Sequence, residues 1–139
     1  MNALQTAIEI ATEAHKGQCR WGGEPYIIHP RFVAAMVEKP EEKVVAWLHD
    51  VVEDTDITLD NLAEYVVFED YHLDAIDAIT KRDGEEYDEY IERVARDPIA
   101  TEVKIADMTH NLTCGTKGSM RDKYRLAVKY LELRKLIKR

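Results

Sequence analysis

Ala46-Trp47-Leu48-His49-Asp50-Val51-Val52-Glu53-Asp54 is an apolar run that carries four ionisable residues. Pro40 suits a first helical turn, so the run reads as the end of a helix over about 40–53. Ionisable groups in an apolar run are costly to bury unless paired or bound to metal. Helical spacing sharpens the point. His49 and Glu53 stand at i and i+4, Asp50 and Glu53 at i and i+3, and Asp50 and Asp54 at i and i+4. All four then crowd one helix edge, and a divalent cation would relieve the repulsion among the carboxylates. The alternative is a half-exposed helix end with Asp50, Glu53 and Asp54 in water. That arrangement puts acids at a helix C-terminus, against the macrodipole.

On both sides the chain reads helix after helix. Residues 3–16 place Leu4, Ala7, Ile8, Ala11 and Ala14 on one stripe, with Asn2 as N-cap. Gly17, Gly22, Gly23, Pro25 and Pro30 mark a structured loop before a second helix over about 30–38. Thr58 caps a helix over about 59–67, another runs over about 71–81, and Gly84 separates it from one over about 85–96. Asp97-Pro98 opens a helix to about residue 112, and a last one over about 119–137 buries Tyr124, Val128 and Leu131. No stretch alternates with period two. The expectation is an all-α fold, a single-domain bundle of about seven to eight helices over residues 1–139.

Two further segments mix apolar and chemically active residues. Val103-Lys104-Ile105-Ala106-Asp107 runs on through Met108-Thr109 to His110-Asn111-Leu112, which sets Asp107 among small and apolar neighbours with Asn111 one turn on. Asp107 alone reads as well as an ion-pair partner of Lys104 or His110. In Tyr26-Ile27-Ile28-His29-Pro30, His29 alone reads as a structural residue. Together, His29, His49, Asp50 and Asp107 make a mixed N/O donor set suited to manganese, iron or zinc rather than calcium. Such sites with open positions hold a catalytic water, which Glu53 is placed to orient or deprotonate.

Composition narrows the function classes. A net charge of -8 argues against a nucleic acid polymer as partner, while leaving room for a small anionic substrate whose field a metal would invert. No run approaches the roughly 18 apolar residues of a membrane span, and the first residues lack a signal peptide's basic start. The expectation is a cytoplasmic protein with no membrane association, in which Cys19 and Cys114 stay free thiols. His72, with no motif around it, is expected on the surface, and Tyr87 and Tyr90 are expected to pack within the protein.

The ordered series of motifs resembles a known family. His15-Lys16-Gly17-Gln18-Cys19-Arg20, Gly23-Glu24-Pro25-Tyr26-Ile27-Ile28-His29-Pro30 and Leu48-His49-Asp50-Val51-Val52-Glu53-Asp54-Thr55 come first. Thr80-Lys81-Arg82, Val103-Lys104-Ile105-Ala106-Asp107 and His110-Asn111 follow. The chain is similar, over about residues 3–113, to the hydrolase domain of RelA/SpoT proteins and to free-standing small alarmone hydrolases of the HD superfamily. The resemblance implies an HD-type helical bundle and a manganese-dependent enzyme of the stringent response. Its reaction would remove the 3′-pyrophosphate of ppGpp and pppGpp to give GDP or GTP. It implies metal ligation by His29, His49, Asp50 and Asp107, with Glu53 and Asp54 as catalytic residues. Arg20 would lie over the purine base and Asn111 at the ribose or its phosphate. Lys81, Arg82 and Lys104 are further candidates for phosphate contact, or else solvated charges.

Trp21 stands where the family often has a basic residue, and Met108, Thr109, Thr113 and Cys114 also depart from its pattern. These positions surround the nucleotide in the family, so they bear on base selectivity. Val66-Val67-Phe68-Glu69-Asp70 replaces the usual Phe-Gly and reads as a loop change. So short a chain is expected to carry no synthetase domain. The rival readings are the same chemistry on another nucleotide, or an inactive nucleotide sensor. The other nucleotides are the adenine alarmone analogue, a nicotinamide cofactor phosphate and a nucleoside monophosphate. The oligomeric state is not legible.

Overall fold

The protein is described by a computed structural model covering residues 1–138, with side chains through Ile137. Among the described residues there are nine helices and no strand. They are α1 (Ala3–Ala14), α2 (Ile28–Met36), α3 (Pro40–Leu48), α4 (Val51–Asp54), α5 (Leu59–Ala63), α6 (Asp70–Ile79), α7 (Tyr87–Ala95), α8 (Pro98–Thr113) and α9 (Gly118–Lys138). The all-α expectation holds.

Polar residues start several of these helices where the pattern predicts. The Asn2 side chain accepts the Gln5 N–H at 2.8 Å and the Gln5 side chain accepts the Asn2 N–H at 3.0 Å. Thr58 and Asn61 make the same reciprocal pair at α5. Asp97 accepts the Ala100 N–H at 2.9 Å, with Pro98 in the first turn of α8. Each cap satisfies a backbone donor that the helix leaves unpaired.

The helix expected over 40–53 is two. It stops at Leu48, turns through His49 and Asp50, and resumes at Val51. The His49 ring explains the break. Its Nδ1–H donates to the Ala46 carbonyl at 2.6 Å, the acceptor a continuing helix would offer to the Asp50 N–H. The break sets Val51–Asp54 apart as a short helix of its own. The α5 helix also ends early, at Ala63, because the Glu64 and Tyr65 N–H groups bond back three residues and tighten the chain into a turn.

His72 corrects another expectation. It is buried rather than exposed, and its Nδ1 accepts the Glu69 N–H at 3.0 Å, which caps α6 from inside. Tyr90 is buried with its hydroxyl on the Ile79 carbonyl at 2.5 Å, which is packing, as expected.

The core lies where α3 and α8 meet. The α1, α2, α6 and α8 helices pack on α3, and α9 closes over α7 and α8. Val45, Leu48, Val51, Leu62, Ile76, Val94, Val103, Met108 and Leu131 are sealed from solvent. This packing brings the first turn of α2, the α3–α4 turn and the middle of α8 to one place. Among the described residues no helix is long and apolar enough to cross a membrane.

Candidate metal centre

One donor atom from each of His29, His49, Asp50 and Asp107 lies within 4.8 Å of the others. His29 Nε2 is 2.7 Å from Asp107 Oδ1 and 3.9 Å from Asp50 Oδ2. His49 Nε2 is 3.0 Å from Asp50 Oδ2 and 3.3 Å from Asp107 Oδ1. His29, His49 and Asp107 are buried and Asp50 is half-buried. Both imidazoles thus present Nε2 to the same two carboxylates.

Hydrogen bonds behind the rings set their direction. His49 spends its Nδ1 proton on Ala46, which leaves Nε2 facing the carboxylates and free to give a lone pair to a cation. His29 Nδ1 lies 2.8 Å from His110 Nδ1, and one of the two must carry the proton. A lone pair at His29 Nε2 puts that proton on His29 Nδ1 and makes His110 the acceptor. The His110 proton then sits on Nε2, which faces Cys114 Sγ at 3.4 Å. Burial first, and then neighbouring charge, pushes the His110 pKa down, which suits a neutral acceptor. Its ring stacks on His29 at 5.0 Å and on Phe32 at 4.9 Å.

The charges form a tight alternation. Burial disfavours an imidazolium at His49, yet Asp50 and Asp107 outweigh it and hold its pKa well above the ordinary value. Burial likewise works against an ionised Asp107, and Lys104 and the two imidazoles outweigh that and hold it well below. Lys104 Nζ sits 3.0 Å from Asp107 Oδ2. Tyr26 donates its hydroxyl to Asp50 Oδ2 at 2.5 Å. Burial, then the Asp50 charge, drive the phenol pKa far up, so Tyr26 keeps this proton. The buried carboxylates have one cationic lysine, and the two imidazoles need either protons or a cation to stay beside them. The donor set and its second layer of hydrogen bonds fit a divalent ion.

Glu53 and Asp54 flank this group and are exposed, and with Asp50 they offer oxygens within the same 4.8 Å of one another. Burial and then the Asp50 charge raise the Asp54 pKa. For Glu53 burial is again the largest cause of an upward move, which the Lys81 backbone N–H on Oε1 at 2.9 Å opposes. Arg20 is brought in as well, its Nη2 donating to Asn111 Oδ1 at 2.9 Å, and Asn111 Nδ2 is 3.5 Å from Asp107 Oδ1. The side chains of Lys81 and Arg82 run elsewhere. Lys81 Nζ donates to the Glu85 carbonyl and Arg82 pairs with Asp77, both on the protein surface. Lys81 touches the site through its backbone alone.

The sequence assigns Tyr26 no role at the centre and His110 only that of an ion-pair partner for Asp107, whereas here they bond Asp50 and His29. The signals were present but weak: Tyr26 lies three residues before His29, and His110 stands at i+3 from Asp107, on the same helix face.

The chain is 38% identical over 125 residues to a probable GTP pyrophosphokinase of Mycobacterium leprae, covering 81% of this chain and 16% of that protein. It is 36% identical over 141 residues to a guanosine-3′,5′-bis(diphosphate) 3′-pyrophosphohydrolase of Haemophilus influenzae, covering 89% and 20%. It is 32% identical over 147 residues to the bifunctional (p)ppGpp synthase/hydrolase SpoT of Escherichia coli, covering 94% and 20%. This chain is a RelA/SpoT-type HD-domain homologue. It spans a fifth or less of the length of these relatives. The HD fold itself is matched by a solved structure described as a metazoan ortholog of SpoT that hydrolyses ppGpp and plays a role in starvation responses. The TM-score is 0.76 at 23% identity, over 96% of this HD chain and 85% of the other. No family model matches the chain.

Proposed function

We propose that this HD domain is a manganese-dependent hydrolase that removes the 3′-pyrophosphate from ppGpp and pppGpp. The products are GDP or GTP and pyrophosphate. The observation that carries the reading is the convergence of His29, His49, Asp50 and Asp107 beside the exposed carboxylates of Glu53 and Asp54. Relatives named as 3′-pyrophosphohydrolases and synthase/hydrolases support the substrate class. Mixed imidazole and carboxylate donors suit manganese.

In this reading His29, His49, Asp50 and Asp107 hold the divalent ion, which when bound supplies Lewis acidity and a more acidic water. Glu53 Oε1 is engaged by the Lys81 N–H, so Oε2 takes the proton of the attacking water. Partial burial raises its pKa from the ordinary carboxylate value, which favours proton uptake by this group. The water oxygen bonds to the phosphorus next to the ribose, the P–O3′ bond breaks, and the 3′ oxygen receives a proton from Asp54. Lys104 holds Asp107 in place and offsets charge. Arg20 and Asn111 form the nucleoside side of the site. A cytoplasmic site of action suits the free cysteines Cys19 and Cys114.

The test is to incubate the protein with manganese and a mixture of guanosine and adenosine 3′-diphosphates and separate the products. Pyrophosphate with the matching 3′-hydroxyl nucleotide is expected. Release of single phosphates, or bound nucleotide with no turnover, rejects it.

A further inference from the structure

Trp21 sits at the tip of a tight loop beside the centre. Cys19 pairs with Pro25 as an isolated antiparallel bridge, and the Gly23 N–H closes a turn on the Arg20 carbonyl at 2.9 Å. Gly23 takes φ +94, a conformation open to glycine, which makes the turn this tight. The turn leaves Trp21 69% exposed. One face of its ring lies on the Arg20 guanidinium, 4.4 Å from the ring centroid. Arg20 is 6% exposed, covered by this ring and tied edge-on to Asn111.

A guanidinium so covered has no open face to offer a base. The large open face belongs to Trp21. From it a continuous path runs through Arg20 and Asn111 to Asp107 in the metal centre. We infer that Trp21 is the stacking platform for the nucleotide base, with Arg20 beneath it as its support, and that this platform takes guanine and adenine alike. This rests on the proposed nucleotide hydrolysis. An indole stacks on any base because every base has a π-face, whereas discrimination needs hydrogen bonds to base edges. Arg20 makes the platform more than a loose indole, since its charge fixes the ring's plane by cation–π contact.

The experiment uses Trp47→Phe protein, in which Trp21 is the remaining tryptophan, loaded with manganese. Guanosine and adenosine 5′,3′-bis(diphosphates) are titrated against its fluorescence, and ribose 5-phosphate serves as the base-free probe. Quenching by both nucleotides and not by the probe is expected, with apparent affinities within about 10-fold of each other. In turnover, Trp21→Ala is expected to raise KM about 10-fold for both nucleotides with the loss falling on KM rather than kcat, and Trp21→Phe to recover most of it. Nucleotide binding without quenching, or an unchanged KM in Trp21→Ala, overturns the platform while leaving the hydrolase intact. Quenching by guanosine alone overturns its indifference to the base. Quenching without turnover supports the platform and rejects the hydrolase.

Discussion

Glu53 accepts the Lys81 N–H on one carboxylate oxygen and lies beside Asp50 and Asp54 at the edge of the metal centre. Glu53→Gln keeps the shape and the backbone contact but loses the base. Its turnover is expected to fall at least about 100-fold, the usual scale of general-base catalysis, with manganese still bound. Activity near that of the parent protein would remove Glu53 from its role. His110 reaches the donor set through His29, the two Nδ1 atoms lying 2.8 Å apart. Replacing His110 by Ala frees the His29 ring to turn, and manganese affinity is expected to drop about 10- to 100-fold in a metal titration. An unchanged affinity would show that the His29 tautomer does not depend on it. Cys114, at the far end of this chain of rings, adds a weak acceptor.

At the scale of the element, helix starts were legible wherever a short polar side chain reaches its own backbone, as at Asn2, Thr58 and Asp97. Those bonds are local, so a sequence window contains both partners. The break at His49 and Asp50 was not legible, because propensity favours continuing an apolar helix and the turn depends on one ring bonding one carbonyl. The site itself was legible as residue types, whereas the Tyr26 and His110 contacts span 24 and 81 residues and have no local pattern. His72 was misplaced because a histidine amid acidic residues reads as surface, while its Nδ1 caps α6. That cap makes a pH prediction. Burial lowers the His72 pKa below its ordinary 6.5. Below that value the unfolded chain binds a proton that the fold refuses, so stability is lost as pH falls through 6.5 toward the folded pKa. His72→Gln keeps an acceptor at this position and removes the titration. Urea unfolding at pH 7.5 and 5.5 should show the parent losing more stability than His72→Gln. Equal losses would mean that His72 does not carry the effect.

For the molecule as a whole, the centre belongs to the α2, α3–α4 and α8 junction, and α9 braces it from outside. Leu131 is sealed, and Arg134 and Lys135 pair with Glu92 on α7 and Glu102 on α8. Leu131→Ala is expected to cost about 2–5 kcal/mol by chemical denaturation while each folded molecule still binds its metal. Loss of metal at full stability would reverse that division. Since the donors sit on separated segments, metal binding should also stabilise the fold. Manganese at about 100 times its Kd should add about 2.7 kcal/mol, and a chelator should remove it. An unchanged melting temperature on chelation would argue against a shared site. The most direct test of the whole account is to count bound manganese by the loss of its free-ion paramagnetic resonance signal, in the parent protein and in Asp107→Ala. The account predicts one tightly held ion per chain in the parent and none in the variant. A parent that binds no manganese, or a variant that binds it equally well, would contradict it.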